Sequence, residues 1–159
     1  MIGDMTNPTE NPMAAMQRAQ MLAQAGDLAG AAEICRAIVA RTAPNFFASF
    51  MLGTIETHFG RFQEAERNLA SAIRINPRSQ EALTSYGNVL LELKRPADAV
   101  AALDKALTLQ PQNPTALLYR GLALADSGKR EAALKDFERV LDLDPYSLDR
   151  KSTRLNSSH

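Results

Sequence analysis

The residues that could carry covalent chemistry in this chain are few. Cys35 is the one cysteine, and His58 is the one histidine outside the last ten residues. A thiol beside an imidazole can act as a nucleophile and its base. Because Cys35 falls at a core place of the pattern described below, and free cysteine usually packs as a small buried hydrophobe, we interpret it as a core residue. The chain is therefore predicted to be non-catalytic.

Two further kinds of site are excluded by spacing. Gly128-Lys129 is like the end of a phosphate-binding loop, but Ala123 stands where the loop needs an upstream glycine and Arg130 where it needs Ser or Thr. One histidine with scattered acids gives no metal-ligand spacing. We expect neither a cofactor nor a bound metal.

Composition argues against polyanions and membranes as partners. The 159 residues are 45% apolar and 23% charged, with a formal charge of zero, as in one soluble domain. Three of the 18 basic residues lie in the last ten, so the rest of the chain has fewer basic than acidic residues, which disfavours nucleic acid binding. No leader-like or membrane-spanning apolar run occurs, and the lone cysteine fits a reducing compartment. We expect a cytoplasmic protein.

Three residue types recur at one spacing of 34 residues. They are the alanines Ala31, Ala65, Ala99 and Ala133, the glycines Gly53, Gly87 and Gly121, and the prolines Pro77, Pro111 and Pro145. A period in this range indicates stacked copies of one supersecondary unit, whose function lies on the surface that the copies form together.

Each copy reads as two amphipathic helices joined by a turn. Leu117, Leu118, Leu122 and Leu124 have the spacing of one helical face, and breaks recur at 25–27, 59–61, 93–96 and 126–129. Asn113-Pro114 is a good helix start, and the recurring prolines close the repeats. The repeats are predicted at 12–45, 46–79, 80–113 and 114–147.

The recurring glycines lie inside predicted helices, where each costs about 1 kcal/mol relative to alanine. Gly53 and Ala65 are twelve residues apart across a turn, as are the corresponding pairs in the next two repeats. We expect each glycine to face its alanine where the two helices approach most closely.

These residues resemble the tetratricopeptide repeat family, whose 34-residue unit has small residues at its eighth and twentieth places, an apolar residue at the twenty-fourth and a proline at the thirty-second. Gly121, Ala133, Phe137 and Pro145 match these places in the fourth repeat, whereas the first has Ala19, Ala31, Cys35 and Ala43. The resemblance implies an all-α, right-handed α-solenoid of four helix–turn–helix repeats. Residues 79–145 also look similar to the arrays that precede glycosyltransferase-like domains in bacteria, such as the O-linked N-acetylglucosamine transferases.

In this family the first helix of each repeat lines a concave groove that binds a partner. The places that usually face it are, in this chain, Phe47, Phe50, Thr54, His58, Glu81, Thr84, Asn88, Glu92, Leu118 and Leu122. Phe47 and Phe50 are the strongest candidates for anchoring a partner, and packing against the first repeat is the alternative. Met13, Met16 and Met21 could serve either a partner groove or helix packing.

Two binding modes of the family are not supported. The places of a cationic clamp for a partner's terminal carboxylate hold Met16, Gln20, Met51, Glu81 and Ser85, and only Asn88 would fit an asparagine ladder. The predicted function is thus a non-catalytic scaffold that binds a peptide or helix. The alternative is the N-terminal repeat segment of a truncated larger enzyme, such as a glycosyltransferase, that recognises substrate or partner.

Both ends depart from the repeat pattern. Residues 1–11 are predicted to form a disordered lead-in. The last residues, RKSTRLNSSH, resemble translated cloning adaptor, and 148–159 are predicted to be a non-native or disordered tail. Because repeat arrays usually end in a solvating helix, we expect parts of the face around Leu134, Val140 and Leu141 to be exposed and to favour self-association.

Overall fold

The computed structural model of this chain describes residues 10–41 and 43–146, and the regular elements of these residues are all α-helices. They are α1 (Pro12–Gln24), α2 (Leu28–Arg41), α3 (Phe46–His58), α4 (Phe62–Ile75), α5 (Gln80–Glu92), α6 (Pro96–Leu109), α7 (Pro114–Asp126) and α8 (Arg130–Leu143). Helices of 13 and 14 residues alternate, and successive 13-residue helices begin 34 residues apart. The predicted all-α, helix–turn–helix architecture is confirmed.

The chain divides into two compact halves, which we call the N-terminal half (Met1–Ser85) and the C-terminal half (Tyr86–His159). In the N-terminal half α1 packs on α2, α2 on α3 and α3 on α4. In the C-terminal half α6 packs on α7, and α7 on α8. Each half therefore buries the apolar stripes of its helices against sequence neighbours.

Side-chain caps fix where the first helix of each repeat begins. The amide oxygens of Asn11, Asn45 and Asn113 accept hydrogen bonds from backbone N–H groups of the first turns of α1, α3 and α7. Ser79 Oγ does the same for α5, at 3.2 Å from Ala82 N. These bonds satisfy N–H groups that a helix start otherwise leaves unpaired, so the capping predicted at Asn113 is confirmed.

The recurring glycines face large side chains, which corrects the prediction that they face the alanines. A Cβ added to Gly53 would lie 2.7 Å from Leu69 Cγ, and one added to Gly121 would lie 2.5 Å from Phe137 Cε1. Each glycine therefore makes room for the apolar residue at the twenty-fourth place of its own repeat. The recurrent helix cost is offset by burial of that side chain.

The first repeat has different residues at these two places, and both belong to one buried core cluster. Ala19 replaces the glycine and Cys35 replaces the leucine or phenylalanine, and both are fully buried. A larger residue at one place is thus accompanied by a smaller one at the other. This exchange of volume between the two places accounts for the atypical residues of the first repeat.

The predicted lead-in and tail lie largely outside the described residues. Of residues 1–11 the structure describes Glu10, which pairs with Arg18 at 2.9 Å, and the capping Asn11. On α8, Leu134 and Leu141 are 58% and 41% exposed, as expected. Val140 is fully buried instead, because it is turned about 100° around the helix from Leu141 and faces the core.

Candidate partner-binding groove

An open groove of about 780 Å³ lies between α1 and α3 in the N-terminal half. We call it the apolar groove. Its lining includes the large side chains of Met13, Met16, Phe47, Phe50 and Met51. Met13 and Phe47 are 70% and 68% exposed, so the groove presents much of its apolar surface to water. Contiguous exposed apolar surface is costly in a soluble protein and commonly marks an interaction site.

Two aromatic contacts between three phenylalanines support one wall of the groove. The rings of Phe46 and Phe50 stack with centroids 5.8 Å apart, and Phe46 meets Phe47 edge to face at 5.4 Å. These residues occupy the first turns of α3, where Asn45 caps the helix. Phe50 is therefore fixed by ring packing, while Phe47 remains largely open.

The polar residues of the apolar groove are all uncharged. They are Asn11, Gln17, Gln20, Asn45 and Thr54. Thr54 Oγ1 donates to the carbonyl of Phe50 at 2.9 Å, whereas the amides of Gln17 and Gln20 are exposed. Amides of this kind donate to and accept from a peptide backbone. The groove thus has the general character of a ligand site, which is mostly apolar with a few polar groups.

Of the ten groove residues predicted from the sequence, the structure brings Phe47, Phe50 and Thr54 together in this groove. The other residues lie elsewhere in the chain. Thr84 and Leu118 are buried, and Thr84 Oγ1 donates to the carbonyl of Gln80. His58, Glu81, Glu92 and Leu122 are exposed, and Asn88 is half-buried.

Sequence reasoning missed Met51 and the amides of the groove as a set. Met13 and Met16 line the groove and Met21 does not, which separates three residues that the sequence left equivalent. Met51 occupies a place that in some relatives carries a clamp cation, and its apolar character was a usable signal.

Cys35 and His58 differ sharply in environment. Cys35 is fully buried in the core of the N-terminal half, and burial raises the pKa of its thiol to about 11. His58 is exposed at the end of α3, with its ring edge-on to Phe59 at 5.5 Å. A thiol held neutral in the core is a poor nucleophile, in agreement with the core role inferred from the sequence.

The described residues contain neither a metal-binding cluster nor a membrane-spanning helix. No group of three or more His, Cys, Asp or Glu side chains in these ranges is placed to hold a metal ion. No helix of the described part of the chain is long and apolar enough to cross a membrane.

Sequence comparisons with known proteins identify the same helix–turn–helix repeat that the structure shows. The tetratricopeptide repeat family matches residues 8–46, 50–114 and 95–147. Human protein O-mannosyl-transferase TMTC3 is 33% identical over 111 residues, 67% of this chain and 12% of that protein. The Arabidopsis thaliana TPR repeat-containing thioredoxin TTL4 is 38% identical over 77 residues, 48% of this chain and 11% of that protein. The chain thus spans about an eighth of the length of these relatives or less, and the first agrees with the resemblance to glycosyltransferase-associated arrays.

Solved structures give the same result for the fold. A crystal structure of MamA aligns with a TM-score of 0.79 and 22% identity, covering 90% of this chain and 83% of MamA. YrrB, described as a TPR protein with an unusual peptide-binding site, aligns with a TM-score of 0.79 and 22% identity over 87% of this chain and 72% of YrrB. The predicted fold class is thereby confirmed. With helix pairs of this length, spacing and packing, and with family matches along most of its sequence, the chain belongs to the tetratricopeptide repeat family.

Proposed function

We propose that this chain is a protein-interaction module that binds an apolar peptide segment or amphipathic helix in the apolar groove. The observation that carries the proposal is the exposure of Met13 and Phe47 beside the fixed ring of Phe50 in one groove. Aromatic side chains in such positions dominate binding energy at interfaces, and methionine adapts to differently shaped partners.

The groove's lining also limits the chemistry of the partner. No charged residue is among the described residues that line it. A partner would therefore bind through apolar side chains, with the exposed amides contacting its backbone, and its affinity would depend little on salt. A helix with apolar residues on one face has the required shape, since such helices commonly dock into apolar grooves.

The proposal is tested with peptides selected from a displayed random library on the full chain. Their dissociation constants are then measured by fluorescence anisotropy. Phe50→Ala is expected to weaken binding by about thirtyfold and Phe47→Ala by about tenfold, as for aromatic residues at the centre and rim of an interface. The matched control is Phe59→Ala, which removes an exposed phenylalanine of the same half that does not line the groove.

Equal loss in Phe59→Ala, or none in either groove variant, would contradict the proposal. Asn88→Ala tests the predicted residues of the C-terminal half separately. Weakening by Asn88→Ala alone would move the binding site to that half.

A second candidate is that the chain forms the repeat segment of a larger enzyme and supplies it with substrate or partner recognition. It is supported by the 33% identity to a protein O-mannosyl-transferase, of which the chain spans 12%. Sequencing the coding DNA beyond codon 149 tests it. An in-frame catalytic domain would support this candidate, and a nearby stop codon would contradict it.

Self-association is a further candidate property, supported by the exposed apolar residues of α8 and of the segment that follows it. Leu134, Leu141 and Tyr146 are exposed, whereas Leu107, which is equivalent to Leu141 one repeat earlier, is buried. Sedimentation velocity of the full chain is expected to show concentration-dependent dimers that Leu134→Glu with Leu141→Glu abolishes. A monomer at all concentrations would contradict self-association.

A further inference from the structure

A second groove, of about 840 Å³, lies in the C-terminal half and has a different chemical character. We call it the charged groove. It is formed by α6, α7 and α8, with six charged side chains: Asp104, Arg120, Lys129, Lys135, Asp136 and Arg139. The groove therefore carries four cations and two carboxylates. Its local excess of positive charge is notable because the chain has no net charge as a whole.

Arg120 joins the two carboxylates of the groove. Its Nε and Nη2 donate to the two oxygens of Asp136 at 2.7 and 2.8 Å, and its Nη1 donates to Asp104 Oδ1 at 2.9 Å. Hydrogen bonding to Asp136 raises the pKa of the guanidinium, and Asp136 is buried. This network connects α7 to both α6 and α8, and both aspartate carboxylates are already bound by Arg120.

The other three cations of the groove are not used in this way. Within the described ranges, Lys129, Lys135 and Arg139 take part in none of the ion pairs. All three are exposed and line the groove around the Arg120 network. Their charges are therefore available to an external anion.

The base of the charged groove is apolar. Leu107, Leu117 and Leu124 lie beneath it and are only 7%, 2% and 8% exposed, whereas Val100, Pro111 and Ala132 have surface open to a ligand. None of the lining residues is aromatic. Single-stranded nucleic acid is commonly held by bases stacked on aromatic rings, which the described lining lacks. An occupant with both apolar and anionic groups fits this lining better.

We propose that the charged groove binds an acidic, amphipathic peptide segment of a protein partner. Apolar side chains of the peptide would contact Val100, Pro111 and Ala132, and its carboxylates would pair with Lys129, Lys135 and Arg139. The inference is carried by charge complementarity and by the contrast with the uncharged apolar groove. It assigns a second binding surface, independent of the one proposed above.

The test uses the full chain and a panel of labelled helical peptides in which leucines at helical spacings are separated by glutamates. A matched panel has glutamine in place of glutamate. The tightest glutamate peptide is expected to bind about tenfold more tightly than its glutamine counterpart at low salt, and this advantage should fall as salt is raised.

Charge reversal then locates the binding site. Lys135→Glu with Arg139→Glu is expected to weaken binding of the glutamate peptide about tenfold or more. The matched control is Lys105→Glu with Arg130→Glu, which makes the same charge change at exposed positions of the same half outside the groove. Circular dichroism melting of both variants checks that they remain folded.

Four results would overturn the inference. The first is that no glutamate peptide binds, and the second is that both charge-reversed variants lose the same affinity for it. The third is that single-stranded oligothymidine binds more tightly than the peptides. The fourth is that Phe50→Ala abolishes binding of the glutamate peptide. The last would place the peptide in the apolar groove. Unchanged binding of the library peptides in Phe50→Ala would contradict the function proposed for the apolar groove, but it would not contradict binding in the charged groove.

Discussion

The apolar groove of the N-terminal half and the charged groove of the C-terminal half are of similar volume, but their linings are opposed. The first lies between the first helices of two repeats and is lined by methionine, phenylalanine and amides. The second involves the second helices of two repeats and is lined by six charged side chains. Because the helices of both halves are set by the same repeated residues, the difference comes from the residues that do not repeat. One scaffold can therefore carry two different surfaces.

The N-terminal half has its own polar network at places related to the Arg120 network. Arg36 and Asn68 stand two repeats before Asp104 and Asp136. Here the central group is Glu56, which accepts from Asn68 Nδ2 at 2.8 Å and lies 3.9 Å from Arg36. The bridging of neighbouring helices is kept while the sign of the central charge is reversed. The central residues are not at equivalent places, since Leu52 stands two repeats before Arg120 and Glu56 lies one helical turn after Leu52.

The largest predicted effect on stability comes from replacing Arg120, at the centre of the charged groove. Arg120→Leu leaves the buried carboxylate of Asp136 without its two hydrogen bonds. We expect the free energy of unfolding, measured by urea denaturation, to fall by about 2–4 kcal/mol. Arg139→Leu removes a cation without an ion pair and should change it by less than about 0.5 kcal/mol. Similar losses in the two variants would contradict a structural role for the network.

The pKa and reactivity of the Cys35 thiol are measures of burial in the core of the N-terminal half. Burial raises its pKa from 9.0 to about 11, so folding favours the neutral thiol. Its contribution to stability is complete below about pH 9 and is lost as the pH rises towards about 11. At pH 8 the thiolate population is about 100-fold lower than in the unfolded chain.

Reaction with a thiol reagent at pH 8 should therefore be at least about 100-fold slower in the folded chain than in urea. Stability should also fall more steeply between pH 9 and 11 in the natural chain than in Cys35→Ala. Rapid labelling of the folded chain would show that Cys35 is accessible, and would contradict the packing proposed for the first repeat.

The third prediction tests the packing that both halves share. Gly53→Ala is expected to lower the unfolding free energy by about 1–2 kcal/mol, because its Cβ would overlap Leu69. Combining it with Leu69→Cys recreates the Ala19 and Cys35 pair of the first repeat. The double variant should be more stable than the sum of the single effects by about 1 kcal/mol, whereas Gly53→Ala with Leu103→Cys should be additive. Additivity in both pairs would contradict the volume exchange.

The smallest predicted effect concerns the turns between paired helices. Gly26, Gly60 and Gly128 adopt positive φ, and Lys94 does so at φ 60° in the equivalent turn. Because a side chain in this region is strained, Lys94→Gly should raise the melting temperature slightly, with a gain of about 0.5–1 kcal/mol. Lys94→Ala is the control for loss of the lysine side chain and should give no gain. A gain in both variants would assign the effect to the side chain.

The sequence alone determined the fold because its regular spacing reports local requirements. Helix starts at Asn113-Pro114, breaks at the turns and the 34-residue recurrence of small residues are each set by nearby backbone geometry. The prediction that Gly53 faces Ala65 was wrong. The spacing identifies where two helices approach closely, but it does not say which side chain packs against the glycine. Cytoplasmic location and the limits of the lead-in and tail stay predictions.

The grooves were decided by tertiary structure. Phe47 and Phe50 could be proposed from their places in the repeat, but their meeting with Met13 and Met16 depends on how far α1 and α3 are held apart. Lys135 and Arg139 are four residues apart on α8, but they line one groove with Arg120 and Asp104 only because α6, α7 and α8 pack together. Repeated residues specify the local helix pair, whereas surface chemistry arises from unrepeated residues on different helices, and only packing brings these into one site.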